Sequence, residues 1–395
     1  MTTTTRSAIP YGRQHITDAD IAAVTEALKA DYLTTGPRVD EFEEKFAAYV
    51  GADYAVAVAN GTAALHLCAL ALGVGEGTRV ITTPITFAAS ANCVRYCGGE
   101  VWFADIDPDT LTLDIEKVRA LIESRPKGFF HGIVPVDFAG YPVNLEAFRT
   151  LADEHGLWII EDACHAPGGW FTDSRGRQQR CGNGAYADLA IFSFHPVKHI
   201  ASGEGGMITT NNKELYERLT VLRTHGITRD RANLRYPDHG GWYMEMQQLG
   251  YNYRIPDILC ALGISQLSRA EEGMQRRQEI ARRYDEAFAG GAAAEIKFHG
   301  VPPSGVWHAF HLYVIEVADR RGLYDYLREH HIYAQVHYVP VHTMPYYQDI
   351  GYEEADLHRA EQYYAGALSL PMYPTLTEKE QDFVIERVTE FIDGR

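Results

Sequence analysis

Positive charge is what this sequence has too little of. Its 395 residues carry 36 Lys and Arg against 53 Asp and Glu, a formal net charge of -17. Such a chain repels a phosphate backbone overall, so no nucleic-acid partner is expected, and an anionic small molecule would need a local basic pocket. Long apolar runs are missing as well. The run over 63–72 is interrupted by His66 and falls far short of a bilayer's width, so no membrane partner is expected either. The opening MTTTTRSAIP has no apolar core of a secretion signal, and a cytoplasmic location is the expectation. The six cysteines, at 68, 93, 97, 164, 181 and 260, show neither CxxC pairs nor zinc spacing; free thiols and no metal site are expected. Beyond a Thr run at positions 2–5 there is no low-complexity segment and no internal repeat.

What is present suits a packed globular protein. The composition is 46% hydrophobic with five Trp, and the length leaves room for two domains. Short apolar strands at 54–59, 79–83, 100–105, 132–137 and from Trp158 alternate with helical patterns at 18–30, 37–50, 63–72, 114–123 and 145–155. That alternation predicts an α/β fold with a mostly parallel central sheet flanked by helices. Pro256 then opens one long helix, its apolar face carried by Ile258, Leu262 and Leu267, that reaches about Phe288. The domain boundary is placed there, dividing 1–255 from 256–395. After Gly290-Gly291, segments 310–317 (strand), 322–330 (helix), 333–338 (strand), 355–368 (helix) and 378–393 (helix) predict a smaller α+β domain. The polar run 172–184 reads as an exposed hairpin.

The organising stretch is 188–211, DLAIFSFHPVKHIASGEGGMITTN. Leu189 to Ser193 read as a buried strand, broken at Pro196 just before Lys198. Where a buried strand meets a flexible turn, a lysine is drawn partly out of water, its pKa falls, and its amine can attack a carbonyl. A solvated loop lysine is the competing reading. Upstream, IIEDACHAPG ends an apolar strand on Asp162 and sets His165 three residues later. Ligands of open α/β sheets bind at the carboxyl ends of strands, so Asp162, His165 and Lys198 are expected to share one crevice.

Three further places invite function. Asn60-Gly61-Thr62 joins a strand to a helix, which makes either a phosphate site at the helix's positive end or an ordinary capped start. Phe87 is either a core residue or a ring laid on an aromatic ligand. Residues 223–239 gather Arg223, His225, Arg229, Arg231, Arg235 and His239 in an acidic chain: a solvated loop, or charges that meet a pyrophosphate.

The runs FSFHPVKHIASGEGGMITTN, IIEDACHAPG, NGTAALHLCALALGVGEGTRVITTPITF and LGYNYRIPDILCALGISQL resemble, in order and over nearly the whole chain, the sugar aminotransferases, pyridoxal-phosphate enzymes that aminate keto groups of nucleotide-linked sugars. IPYGRQHITDADIAAVTEALKADYLTTGP, FHPVK and VHYVPVH are most similar to the branch that aminates carbon 4 of a UDP-linked 4-keto-6-deoxy-N-acetylhexosamine in pseudaminic acid synthesis. The resemblance implies aminotransferase fold type I, pyridoxal 5'-phosphate as cofactor, and glutamate as amino donor. It implies that Lys198 binds the cofactor aldehyde, Asp162 pairs with the pyridine nitrogen, His165 bonds the phenolic oxygen and Phe87 stacks on the ring. Gly61, Thr62, Ala63 and Ser193 would hold the phosphate, joined by Asn252 from a neighbouring subunit, hence a homodimer with shared sites. Arg229, Arg254, His337, Tyr338 and His342 are candidate substrate contacts. Pro167 and the run 172–184 depart from the family's pattern. Relatives acting on dTDP-sugars, carbon 3 ketones or cyclitols stay open. Lys198 argues against the dehydrating relatives, which carry histidine there, and Asp162, His165, Ser193 and Lys198 together argue against a non-catalytic binding protein.

Overall fold

The computed structural model describes residues 8–289, 296–298, 302–352 and 356–394. In chain order its first elements are β1 (Ile9–Pro10), α1 (Asp18–Lys29), α2 (Pro37–Val50), β2 (Tyr54–Val58), α3 (Gly61–Ala71), β3 (Arg79–Thr82), α4 (Ala89–Tyr96), β4 (Glu100–Phe103) and α5 (Ile115–Glu123). There follow β5 (Gly132–Val134), α6 (Leu145–His155), β6 (Trp158–Asp162), β7 (Trp170–Thr172), β8 (Gln178–Arg180), β9 (Leu189–Ser193), β10 (Gly206–Thr210) and α7 (Lys213–Arg223). Sequence punctuation sets several of these ends. Thr17 and Asp20 make a reciprocal capping box on α1, and Gly51 closes α2 in the left-handed region at φ 87°, where a Cβ would be strained.

Seven strands form the central sheet in the order β2-β10-β9-β6-β5-β3-β4. From β9 across to β4 every neighbouring pair is parallel; β10 runs against both β9 and β2. Side chains alternate between the two faces, as the pleat requires. Val56, Val58, Ile160, Leu189, Ile191 and Ile208 pack with α3 on one face. Ala55, Ala57, Phe192 and Met207 meet Phe42 and Phe46 of α2 on the other, while Ile81, Ile133 and Ile159 meet Phe148 and Leu151 of α6. Both faces are therefore apolar, and the carboxyl ends of β6 and β9 open side by side at one edge of the layer.

A second core lies toward the C-terminus. An antiparallel sheet of Lys297–Phe298, Tyr313–Glu316 and Ala367–Leu370 accompanies helices Arg320–Glu329 and Glu378–Asp393, and Ile315, Leu323, Leu327, Leu368, Val384 and Val388 are buried together. Ile9 of β1 belongs to this core, because β1 pairs in parallel with Ile332–Tyr333. No helix among the described residues is long and apolar enough to cross a membrane.

Four sequence expectations need correction. The single helix expected from Pro256 to about Phe288 is two, α8 (Asp257–Leu267) and α9 (Ala270–Phe288). The break falls at Arg269, whose guanidinium reaches back to bond the His15 carbonyl and the Asp20 carboxylate, tying the joint to α1. The run 172–184 does form a hairpin, β7 with β8, but Val306–Trp307 adds a third strand, and Asp173, Gln179 and Cys181 are buried rather than exposed. The strand expected over 333–338 shrinks to Ile332–Tyr333, and the helix expected over 355–368 is His358–Gly366, followed by a strand. Gly290 and Gly291, and the first residue of that expected helix, Ala355, lie outside the described residues.

Candidate active site

Backbone geometry brings the lysine to the sheet edge. Strands β9 and β10 are paired up to Ser193 and Gly206, and the excursion between them is pinched at its base by Phe194 N–H to the Gly205 carbonyl at 2.8 Å. Phe194 is fully buried against Phe42 and Phe46, which anchors the pinch. A turn closed by Lys198 N–H to the His195 carbonyl, 2.8 Å, then presents the half-buried Lys198. Desolvation pulls its pKa below the ordinary lysine value; the charges of Cys164 and Asp162 act the other way.

Asp162 ends β6 and is buried. Its Oδ2 accepts from Ser90 Oγ at 2.6 Å, Ser90 Oγ lies 2.8 Å from Thr86 Oγ1, and Oδ1 accepts from Cys164 N–H at 3.2 Å. The carboxylate is thereby fixed in orientation from two elements. His165 is buried, and its Nε2 lies 3.2 Å from the Tyr338 hydroxyl while its Nδ1 has no partner. Burial, with Lys198 beside it, holds this imidazole well below the usual histidine range and therefore neutral. Phe87 is 62% exposed, its ring 6.2 Å from that of Tyr338, so a large flat face is left uncovered at the pocket's edge.

At the start of α3, Asn60 caps the helix through Oδ1 to Ala63 N–H at 2.8 Å, and the helical ladder begins with Ala64 N–H to the Asn60 carbonyl. The N–H groups of Gly61 and Thr62 precede that ladder. A Cβ on Gly61 would meet Ser193 Cβ at 3.0 Å, which sets the Ser193 hydroxyl against the same helix end.

The structure thus gathers Gly61, Thr62, Ser193, Asp162, His165, Lys198 and Tyr338. Ala63 is beside them with its N–H already committed to Asn60. His337 is buried and bonded to Ser369 Oγ at 2.9 Å, and burial pushes its pKa down to about 3. Elsewhere lie Arg229, exposed with its guanidinium 3.8 Å from Met244 Sδ, and Asn252, exposed and bridged to Thr224. Arg254 is half-buried. His342 bonds Glu361 at 3.1 Å and packs near Phe103 rather than on the lysine. Sequence reasoning missed Thr86, Ser90 and His311, whose Nε2 is 3.4 Å from Lys198 Nζ. The spacing of Thr86 and Ser90 carries no chemical signature. His311 stands in the apolar run AFHLYVIEV, and a histidine in such a run was the available signal.

The sheet with its carboxyl-end lysine and carboxylate is that of the fold type I aminotransferases. Residues 14–389 match the DegT/DnrJ/EryC1/StrS aminotransferase family, and the chain belongs to it. It is 40% identical to the spore coat polysaccharide biosynthesis protein SpsC of Bacillus subtilis, over 98% of this chain and 97% of the relative. It is 36% identical to a UDP-4-amino-4,6-dideoxy-N-acetyl-beta-L-altrosamine transaminase of Campylobacter jejuni, over 98% of each chain. Among solved structures, Helicobacter pylori PseC, an aminotransferase involved in the biosynthesis of pseudoaminic acid, superposes with a TM-score of 0.87 at 28% identity, covering 98% of this chain and 100% of that one. The protein is a pyridoxal-phosphate-dependent sugar aminotransferase. The pocket fits that cofactor: an unpartnered buried nitrogen on His165, an uncovered aromatic face on Phe87, and a helix start kept clear by glycine.

Proposed function

We propose that this protein moves an amino group from L-glutamate to carbon 4 of a UDP-linked 4-keto-6-deoxy-N-acetylhexosamine, as in pseudaminic acid biosynthesis. The observation that carries the site assignment is the pairing of β6 with β9, which sets Asp162 beside the end of the strand from which the loop bearing Lys198 leaves. Likeness to the Campylobacter transaminase and to PseC supports the choice of sugar.

Bound pyridoxal phosphate supplies an aldehyde that takes up an amine and a protonated ring that withdraws electrons from the carbon attached to that nitrogen. The residues of this chain do the rest. Lys198 would hold the cofactor through its aldehyde, and its amine, when free, would be the group that moves a proton beside it. Burial lowers its pKa from the ordinary lysine value, the direction that such a transfer needs. Asp162, held by Ser90 and the Cys164 N–H, keeps the pyridine nitrogen protonated. His165, neutral, offers Nδ1 to the phenolic oxygen, with Tyr338 fixing the ring from the other nitrogen. Gly61 and Thr62 N–H groups, with Ala63 and the Ser193 hydroxyl beside them, seat the phosphate at the positive end of α3. Phe87 covers one face of the ring.

Asn252 and Arg229 have no place in a pocket formed by one subunit alone. Arg229 lies against Met244, and both residues are exposed in a stretch of chain that also exposes Trp242, Met246 and Leu249, which supports a homodimer in which they enter the partner's site. Arg254, His337, Tyr338 and His342 are assigned to the sugar side, and a division of the chain into 1–255 and 256–395 goes with this reading. Two measurements test it. Borohydride should fix the cofactor to the peptide containing Lys198. Mixing the pyridoxamine form with a panel of UDP- and dTDP-linked keto sugars should return the aldehyde absorbance fastest with the UDP-4-keto-6-deoxy-N-acetylhexosamine; turnover of a dTDP-sugar alone would reject the assignment.

A further inference from the structure

Lys198 has a neighbour outside every motif discussed above. Its Nζ lies 3.4 Å from Nε2 of His311, a buried residue supplied by the C-terminal part of the chain. The backbone around His311 is clamped. Ala309 N–H bonds the Gly140 carbonyl at 2.7 Å, Leu312 N–H bonds the Ala139 carbonyl at 3.2 Å, and Arg277 Nη1 donates to the carbonyls of Phe310 at 3.0 Å and His311 at 3.3 Å. The ring is wedged between those of His165, centroids 4.3 Å apart, and His199, 5.6 Å apart. Backbone clamps and ring contacts limit where this side chain can stand, although its Nδ1 has no hydrogen-bond partner, and a side chain so limited can fix the end of a flexible one.

Its charge state follows from what faces it. The titratable groups around the His311 ring are Lys198, His165, His199 and Arg277, each a cation or an imidazole. A proton added to His311 would be buried beside the Lys198 and Arg277 cations with no carboxylate among the groups facing it, so the ring stays neutral. A neutral imidazole facing an ammonium turns its lone pair toward it, which puts the ring's own proton on Nδ1.

We propose that His311 is a positioning residue for the transamination: its Nε2 accepts a hydrogen bond from the Lys198 ammonium and aims that amine, without itself changing charge. No bond to the substrate is made or broken by His311; it fixes where the lysine's nitrogen stands. The inference rests on Lys198 being the cofactor-holding amine.

The test uses the cofactor-free protein first. Competitive acetylation of Lys198 by acetic anhydride across a pH series, read by mass spectrometry of its peptide, gives the pKa of that amine. His311→Leu removes the acceptor at similar bulk, and loss of a charge-assisted bond should lower the Lys198 pKa by about one unit. In the loaded enzyme the same variant should slow the half-reaction with L-glutamate about tenfold, with the KM for glutamate changed less than about twofold. His311→Gln, which can place an acceptor oxygen at similar reach, should restore both; His311→Asn, too short, should not, and this pair carries the test if the leucine variant fails to fold. A wild-type pKa and rate in His311→Leu, or a glutamine variant as impaired as the asparagine one, overturns the proposal. Cofactor fixed by borohydride to a peptide lacking Lys198 would instead overturn the reading beneath it, so the two failures are separable.

Discussion

Two regions of this chain are built on opposite plans. The floor of the pocket, at the ends of β6 and β9, is buried and held in place: Asp162, His165 and Ser90 each have a fixed partner, and only Nδ1 of His165 is left open. Residues 225–250 invert this. Ile227–Thr228 and Glu245–Met246 form a two-stranded ribbon, and around it Trp242 is 83% exposed, Leu249 75%, and Arg229, Arg231 and Arg235 lie open to solvent. The floor is preorganised, so its residues need no closure to take up their geometry. The ribbon exposes apolar side chains that the proposed homodimer would cover, and on that reading it is half of a contact. One region should therefore respond to substitution through chemistry, and the other through association.

The largest effect sharpens the first half of that contrast. On the proposed assignment, Lys198→Ala would remove both the cofactor attachment and the proton carrier, and the half-reaction with L-glutamate should slow by about 10⁴-fold or more. Stopped-flow absorbance is the measurement. Survival of the rate within about tenfold would break the comparison, since the floor would then not hold the chemistry.

Next comes the support of Asp162. Asp162→Asn would remove the charge assigned to the pyridine nitrogen and should cost roughly 10²–10³-fold in the same assay, in the range of removing one preorganised electrostatic partner. Ser90→Ala leaves the charge and loses only the bond that orients it. About a three- to tenfold loss is expected, with rescue by Ser90→Thr. A serine variant as damaged as the asparagine one would mean that Ser90 does more than orient.

The second half of the contrast is broken or kept by Trp242→Asp. If the ribbon is half of a homodimer contact, a charge at its most exposed apolar residue should weaken self-association by roughly 10- to 100-fold, measured by sedimentation equilibrium, with the cofactor absorbance of the surviving dimer unchanged. An unaltered dissociation constant would place the partner surface elsewhere.

How much of this could be read from the sequence follows the same divide. The strand-to-loop transition at Pro196, the acid at the end of an apolar strand and the glycine at the helix start are local signals, and they made the positions of the lysine, Asp162, His165 and Gly61 at element ends legible, while the roles proposed for them came from the family resemblance. Elements packed on both faces of the sheet were legible for the same reason. What escaped is long-range. Arg269 breaks the expected helix by reaching Asp20, 249 positions away in sequence, and His311 meets Lys198 across 113. Neither separation leaves a trace in periodicity. The polar run 172–184 looked exposed because its side chains are polar, yet Asp173 is satisfied by Gln179, Arg177 and Tyr186 and can be buried without an unpaired charge.

The smallest effect concerns a feature of the floor with no role in the transfer itself. Asp137 and Glu161 are fully buried together with Cys181, their ligating atoms within 4.8 Å of one another. Asp137 Oδ1 accepts from Val143 N–H and its Oδ2 has no partner, while Glu161 accepts from Gly182 N–H. Two such carboxyls cannot both ionise in a dry core, so the pair holds a proton, and burial pushes the Asp137 pKa up to about 7. An unfolded aspartate ionises near pH 4, so between about pH 4 and 7 the native state binds more protons than the unfolded one. The stability this proton contributes is complete below that window and drains away as the pH rises through 7. Asp137→Asn keeps the acceptor for Val143, gives Glu161 a donor and cannot ionise. Its melting temperature relative to the wild type should therefore climb as the pH is raised from 5 to 8, by about 1–3 °C in total. A difference that stays flat across that range would mean that the two carboxyls do not share a proton, and that the floor is less dry than its burial implies.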